Sequence, residues 1–199
     1  MAPRAIAWVK EDGGAEFADV LIQPHRLTAS GIAIGSSAHG YRLDYKVETR
    51  SDFITSGLLV TARGEGWSRR LDLRRLRSAR WTARTSSRGN AEMPAPGGDM
   101  TAFEEALDCD LALSPLTNSM PVIRHGLLEG GGPVDFLMAW VSVPDLSVHA
   151  SRQRYTFLRK SGDISVVRYE SESRDLVAEL TFDANGLVID YPGIGRRAL

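Results

Sequence analysis

Residues 107–124 read LDCDLALSPLTNSMPVIR. Asp108 and Asp110 alternate here with apolar residues, and the two-residue period of a β-strand puts both carboxylates on one face. Aspartate is a poor strand former, so a nearby group must compensate the two charges. Arg124, at the end of the segment, is the candidate partner because its planar guanidinium can bind a carboxylate bidentately.

The middle of the same segment has the chemistry of a rigid turn. Pro115 and Pro121 fix their own φ and favour an extended residue before them. Between them, Thr117, Asn118 and Ser119 can hydrogen-bond to their own backbone. We favour a buried polar network that fixes this loop, and direct contact with a ligand or a reacting group stays open as the alternative.

Alternation at period two dominates the rest of the chain. Residues 41–48 and 176–182 both alternate apolar with polar side chains, which predicts two half-buried strands. Residues 183–186 tolerate positive φ, so 187–191 should return as the second arm of a hairpin. Residues 134–143 are apolar on both faces, which is typical of a strand packed on both sides or lining a lipid cavity, and Pro144 ends the strand.

Helix signals are scarce. Residues 101–104 have the form of a capping box and predict one short helix, and the proline- and glycine-rich residues 90–99 predict a flexible connection. We therefore expect a mainly β protein with a single domain over residues 1–199. Its sheet should be strongly curved, mostly antiparallel and of eight or more strands, curled into a roll or incomplete barrel with one or two short helices.

Composition bounds the class of protein. With 199 residues, 43% of them hydrophobic, the chain can bury one substantial core, and its net charge of −1 gives no overall attraction to nucleic acid or an anionic membrane. The single cysteine, Cys109, excludes an intramolecular disulfide and fits a small buried hydrophobe better than a reactive thiol. Residues 1–10 lack the apolar stretch of about 7–15 residues found in secretory signals. No later window approaches the roughly 18 residues needed to cross a bilayer. We expect a cytoplasmic protein that does not span the membrane.

An arginine-rich run covers residues 63–88. Trp67 and Trp81 lie within it, and arginines interleaved with aromatic residues can bind nucleic acid. The alternation around Leu71 and Leu73 predicts instead two strands with the arginines on the outer side and at the connecting turn. We favour a solvated or anion-facing surface, and arginines that hold a phosphate or sulfate headgroup at a cavity mouth are a third possibility. The run contains Arg63, Arg69, Arg70, Arg74, Arg75, Arg77, Arg80, Arg84 and Arg88.

A catalytic function would use the same polar residues. Asp108, Asp110, Arg124 and His125 could form a small hydrolase-like centre, since an Asp/His pair can perform acid-base chemistry or bind a metal. The histidines at 25, 39, 125 and 149 form no metal-binding or catalytic motif, so we expect no metal and no cofactor. Three tyrosines fit core or cavity-wall positions with bonded hydroxyls better than catalytic acids: Tyr155, Tyr169 and Tyr191.

The segment 107–124 resembles the central motif of a family of bacterial glycolipid-binding proteins, long classed as a domain of unknown function. Its spacing in this chain is D-x-D-x4-P-x-T-N-x2-P-x2-R. Further matching pieces are YRLDY at 41–45, QRYT at 153–156, VRYES at 167–171 and DANGLVIDYPG at 183–193, so the resemblance covers nearly the whole chain. It implies a spiral β-roll, similar to the lipoprotein carriers of Gram-negative bacteria, in which a curved antiparallel sheet wraps a hydrophobic cavity.

The resemblance implies a non-catalytic protein that binds a lipid or glycolipid-like molecule, and no nucleic acid, in an apolar cavity. The candidate wall residues are Phe136, Met138, Trp140, Tyr155 and Phe157. The candidates for the polar end of the cavity, or for the loop around it, are Asp108, Asp110, Thr117, Asn118 and Arg124. The hydrolase-like enzyme is the alternative, and the oligomeric state stays open.

Overall fold

The computed structural model describes residues 3–36, 40–89 and 92–198. Fourteen strands in this part of the chain form one continuous sheet. The strands are β1 (Arg4–Lys10), β2 (Ala15–Gln23), β3 (Arg26–Gly35), β4 (Tyr41–Thr49), β5 (Thr55–Gly64), β6 (Trp67–Arg75), β7 (Trp81–Gly89), β8 (Asp108–Leu111), β9 (Val134–Val141), β10 (Val148–Ser161), β11 (Ile164–Ser171), β12 (Leu176–Phe182), β13 (Val188–Tyr191) and β14 (Gly195–Arg197).

The sheet is built from two meanders that meet in the middle. Strands β1 to β7 follow one another in order, strands β14 back to β8 do the same, and β1 pairs with β14 to join the halves. Every pairing is antiparallel except that of β8 with β9, which is parallel. Strands β7 and β8 stay at the two ends of the sheet, so the roll is curved but not closed.

The sheet curls until its β8 end lies against β5. The backbone N–H of Thr55 donates to the carbonyl of Leu107 at 3.0 Å, and the N–H of Cys109 donates to Thr55 Oγ1 at 3.0 Å. The interior is filled by what we call the central segment, residues 107–124. It contains β8, a 3₁₀ turn (Pro115–Asn118) and the helix α1 (Ser119–Arg124).

The central segment separates two apolar clusters. One contains inward side chains of β1 to β9 together with Leu116 and Met120, and the other contains side chains of β9 to β13 together with Val122. Every residue of the 3₁₀ turn is buried, and so are the first four residues of α1. The segment therefore occupies the interior that a hollow carrier would leave open.

Most of the predicted strands are confirmed. Alternate residues from Tyr41 to Val47 are buried, β12 covers Leu176–Phe182 with the expected alternation, and Asp183 to Gly186 connects β12 to β13 as predicted. The strand expected at 134–143 ends at Val141. The QRYT piece at 153–156 lies inside β10, which begins at Val148.

A short helical turn forms where the capping box predicted one, but it is a 3₁₀ turn rather than an α-helix, and residues 92–99 connect it to β7 without a regular helix or strand. Residues Met100–Phe103 form only a 3₁₀ turn, whose start is capped by Asp99 Oδ1 accepting from the Thr101 N–H at 2.9 Å. The α-helix forms in the central segment instead. Of the predicted link 90–99, residues 90 and 91 lie outside the described part, while Gly97 makes two backbone hydrogen bonds at 2.9 Å, with Leu146 and Val148.

The strands β6 and β7 form as the arginine-rich run predicted, but two of its arginines face inward. Arg69 and Arg75 are each 8% exposed, and Arg75 Nε donates to the Ala106 carbonyl at 2.8 Å. Trp67 and Trp81 are buried as well, so they offer no stacking surface to a nucleic acid. Within the described residues, no helix is long and apolar enough to cross a membrane.

Candidate functional site: a polar cleft beside the central segment

A buried ion pair ties the two ends of the central segment together. The guanidinium of Arg124 donates two hydrogen bonds to Asp108, the first from Nη1 to Oδ1 at 2.7 Å and the second from Nη2 to Oδ2. The two side chains are 8% and 1% exposed. Burial raises the pKa of Asp108 from its ordinary value, and the hydrogen bonds and charge of Arg124 oppose that effect. The predicted partnership between Arg124 and a central carboxylate is confirmed.

Asp110 belongs to a second buried network. Its Oδ1 accepts from Thr117 Oγ1 at 2.9 Å, and its Oδ2 accepts from Gln153 Nε2 at 2.7 Å. The Tyr155 hydroxyl donates to Asn118 Oδ1 at 2.8 Å. Because these side chains come from β8, the 3₁₀ turn and β10, the network fixes the turn against the sheet, as the preferred interpretation of the loop predicted.

Arg174 covers the outer side of this network. It lies in the 3₁₀ turn Glu172–Arg174, with Nη2 3.7 Å from Asp110 Oδ2, and it also donates to the Tyr169 hydroxyl. Its guanidinium carbon lies 5.3 Å from the centre of the Trp140 ring, a cation–π distance. Arg174 was not among the predicted site residues, since nothing in a charged turn indicates contact with a carboxylate 64 positions earlier.

Aromatic rings form a line through the second apolar cluster. The ring centres are 5.0 Å apart for His125 and Phe136, 5.4 Å for Phe136 and Tyr155, and 5.1 Å for Tyr155 and Tyr169. All three contacts are edge-to-face, the arrangement that the charge distribution of aromatic rings favours. Tyr191 continues the line from Tyr169 at 5.8 Å. These tyrosines occupy the core positions predicted for them.

An open cleft of about 810 Å³ lies beside this framework. It forms where β8 stops, because β8 covers only Met138 to Val141 and leaves the first half of β9 without a strand on that side. Its volume is within the range of roughly 300–1,000 Å³ that small-molecule sites occupy. The cleft is lined by Glu105, Leu107, Asp108, Arg124, His125, Asp135, Phe136, Leu137, Arg152, Gln153, Arg154, Glu170, Ser171, Glu172, Asp175, Leu176 and Val177.

Three of the ten predicted site residues line the cleft. Asp108, Arg124 and Phe136 line the cleft. The other predicted residues do not line it: Asp110, Thr117, Asn118, Met138, Trp140, Tyr155 and Phe157. Met138 and Tyr155 are each 1% exposed in the packed core. The arginines of the run 63–88 do not line the cleft either; its arginines come from α1 and β10.

Carboxylates outnumber cations in the cleft. Asp108 is paired with Arg124, and Asp135 is paired with Arg154, whose Nε lies 2.6 Å from Oδ1. Among the described residues, the remaining lining carboxylates have no ion-pair partner; they are Glu105, Glu170, Glu172 and Asp175. Arg152 is the lining cation that likewise lacks one.

The hydrolase-like grouping is not assembled as one open centre. Asp110 is hydrogen-bonded away from the cleft, while His125 lines it and packs edge-on against Phe136. Burial and the charge of Arg124 lower the pKa of His125, which favours the neutral ring. Within residues 3–36, 40–89 and 92–198, no three His, Cys, Asp or Glu side chains are placed to hold a metal ion.

The fold and the cleft define a class of protein: an unclosed, curved, mostly antiparallel roll with a ligand-sized cleft lined by both charged and apolar side chains. A family model described as "Putative glycolipid-binding" matches residues 5–197, and the chain belongs to that family. It is also similar to a DUF1089 family protein from Pseudomonas aeruginosa, known from its crystal structure. The TM-score is 0.70 at 26% sequence identity, over 92% of each chain. A search of curated proteins found no match. The family expected from the central motif is confirmed.

Proposed function

We propose that this protein binds an amphipathic, glycolipid-like ligand in the cleft, with a hydroxyl-rich head among the charged side chains and an acyl chain along the apolar ones. The observation that carries the proposal is the close mixture of the two surfaces. Carboxylates without ion-pair partners lie in the same cleft as Phe136, Leu137, Leu176 and Val177. The family to which the chain belongs supports the same class of ligand.

The charges favour a neutral sugar as the head. Carboxylates accept hydrogen bonds from hydroxyl groups, and the guanidinium of Arg152 can donate to hydroxyl oxygens. A phosphate or sulfate would instead meet four carboxylates without an ion-pair partner against one such arginine, and like charges repel, with a strength that water and salt reduce at these mostly exposed side chains. The Asp108–Arg124 pair holds the inner wall of the cleft rigid, so a head need not order it on binding.

The apolar lining favours an alkyl chain beside that head. Val177 is 65% exposed, and Leu137 and Leu176 are half-buried, so all three keep apolar surface available in the cleft. Covering such surface contributes about 25 cal/mol per Å². The site differs from the enclosed apolar cavity expected from the sequence, because the central segment fills the interior and leaves the amphipathic surface at its side.

Titration calorimetry with n-dodecyl-β-maltoside below its critical micelle concentration tests the proposal. We expect this alkyl maltoside to bind more tightly than maltose, which lacks the chain, and than n-dodecyl phosphate, which has a charged head. Val177→Ser should weaken binding about tenfold, since roughly 1.5 kcal/mol of valine burial is lost. Ile164→Ser is the matched control, because Ile164 is 45% exposed and lies outside the cleft.

Two results would count against this function. If dodecyl maltoside and dodecyl phosphate bind with equal affinity, the charges of the cleft do not select a neutral head. If the Val177→Ser and Ile164→Ser variants bind dodecyl maltoside with equal affinity, the alkyl chain does not contact Val177. Native mass spectrometry of protein purified from its own host gives an independent check. A co-purified molecule with both a sugar and an acyl chain is the expected result.

A further inference from the structure

Exposed aliphatic and aromatic side chains lie together on the outer face of β1, β2 and β3. Val9, Phe17, Ile32 and Ile34 are between 43% and 60% exposed. Phe17 is directly opposite Ile32 in the pairing of β2 with β3. Ala15 of β2 is opposite Val9 on one side and Ile34 on the other, so Val9 and Ile34 lie in the same row. Burying them would remove apolar surface from water, yet nothing in the described residues covers them.

The same outer face becomes basic from β4 onward. The strand register defines two neighbouring rows of outward residues that cross seven strands. The first row is Val9, Ala15, Ile34, Arg42, Arg63, Ser68 and Arg88, and the second is Ala7, Phe17, Ile32, Asp44, Thr61, Arg70 and Ser86. Each row is apolar on β1 to β3 and polar or charged on β4 to β7, where the two rows together carry four arginines and the carboxylate of Asp44. With strands about 4.8 Å apart, a row is about 29 Å long.

The arginines of this face exceed the carboxylates available to them. Arg42 and Arg63 share Asp44, each at 2.9 Å. Arg70 and Arg88 are exposed and have no ion-pair partner among the described residues. They lie diagonally across β6 and β7, since Arg70 is opposite Ser86 and Ser68 is opposite Arg88. A local surplus of positive charge therefore exists on a chain whose net charge is −1.

We propose that the outer face of β1 to β7 is a docking surface for an anionic lipid bilayer. Unpaired arginines attract negatively charged headgroups, and the exposed apolar side chains, which lie on the same outer face three strands from Arg70 and four from Arg88, can enter the interfacial region of the bilayer. A nucleic acid would use the arginines but not the aliphatic patch, and the tryptophans that could stack on its bases are buried. This surface is separate from the cleft, because none of its residues lines the cleft.

Flotation with vesicles measures the docking directly. We expect the protein to bind vesicles of 70% phosphatidylcholine and 30% phosphatidylglycerol, and to bind pure phosphatidylcholine vesicles far less. Each arginine near an anionic surface contributes about fivefold in affinity, so Arg70→Gln with Arg88→Gln should weaken binding about 30-fold. Raising the salt concentration to about 0.5 M should weaken wild-type binding as well, because salt screens the attraction between the arginines and the headgroups.

Matched controls separate this surface from general effects of charge and hydrophobicity. Phe17→Ser with Ile34→Ser should weaken vesicle binding several-fold. Arg168→Gln and Ile164→Ser replace exposed residues of β11 and should leave it unchanged. The arginine and apolar variants should all retain wild-type affinity for dodecyl maltoside, so docking is tested separately from the ligand in the cleft.

Three outcomes would overturn the proposal. The first is a wild-type protein that floats with neither vesicle. The second is a double arginine variant that binds anionic vesicles as well as the wild type does. The third is that Arg70→Gln with Arg88→Gln abolishes binding of a single-stranded RNA oligonucleotide but leaves vesicle binding unchanged. This outcome would assign the two arginines to a nucleic acid.

Discussion

Two bidentate pairs of aspartate with arginine in the described part of the chain differ mainly in burial. Asp108 and Arg124 are 1% and 8% exposed, whereas Asp135 and Arg154 are 70% and 49% exposed. Asp108→Asn keeps the shape of the side chain and leaves the Arg124 guanidinium buried without a counter-charge. Breaking a buried pair on one side costs about 3–5 kcal/mol, while an exposed pair contributes about 0–1 kcal/mol.

Differential scanning calorimetry converts these free energies into melting temperatures. The entropy of unfolding is about 2.1 cal/mol/K per residue, or about 0.42 kcal/mol/K for this chain, so Asp108→Asn should lower Tm by about 7–12 °C. Asp135→Asn should lower Tm by less than about 3 °C. Adding Arg124→Gln to Asp108→Asn should restore part of the loss, because the double variant no longer buries an unpaired charge.

This prediction is wrong if Asp108→Asn and Asp135→Asn lower Tm equally. It also fails if Arg124→Gln makes the Asp108→Asn protein still less stable, since the second substitution would then remove a further interaction rather than an unpaired charge. Either result would mean that Arg124 stabilises the central segment through packing alone, with the ion pair contributing little.

Three further predictions concern the core. Burial raises the pKa of the Cys109 thiol to about 12 from an ordinary 9.0, so between these pH values the folded protein keeps a proton that the unfolded chain loses. The free energy of unfolding, measured with urea, should therefore fall as the pH rises from 9 to 12. Cys109→Ala should reduce this dependence on pH. Gly31→Ala would place a Cβ 2.5 Å from the Tyr45 ring and should destabilise the protein by about 1–3 kcal/mol, measured by urea unfolding. Tyr155→Phe removes the donor to Asn118, and the same measurement should show a loss of about 1–2 kcal/mol; no loss would mean that this buried hydrogen bond is not stabilising.

The strands with clear alternation could be predicted because the apolar or polar character of each side chain indicates which face of the strand it occupies. From Tyr41 to Val47, and from Leu176 to Phe182, the residues that alternate as apolar in sequence are the ones that the sheet buries, apart from Leu176, which is half-buried at the strand end. The turn at 183–186 was predictable for a similar local reason, since Gly186 has the positive φ that glycine tolerates. These features depend on neighbours in the chain.

The helix could not be placed in the same way. A six-residue helix is not stable by propensity alone, and α1 forms because Met120 and Val122 are buried in two different clusters and Arg124 pairs with Asp108. Pro121 is tolerated in the first turn of α1, where its missing N–H needs no partner within the helix. The capping-box residues at 101–104 form only a 3₁₀ turn, capped by Asp99 and held by Phe103, which is buried against Trp81.

The candidate site shows the same division. The sequence by itself determined a curved antiparallel sheet, a rigid polar central segment and the pairing of a central carboxylate with Arg124, because strand period, proline geometry and charge act locally. Only the tertiary structure decided that this segment fills the roll, that Asp110 contacts Gln153 and Arg174, and that the cleft lies beside β9 rather than inside the sheet. The physical reason is that the closing of the sheet brings together side chains from distant strands, and no local pattern encodes which of them will meet.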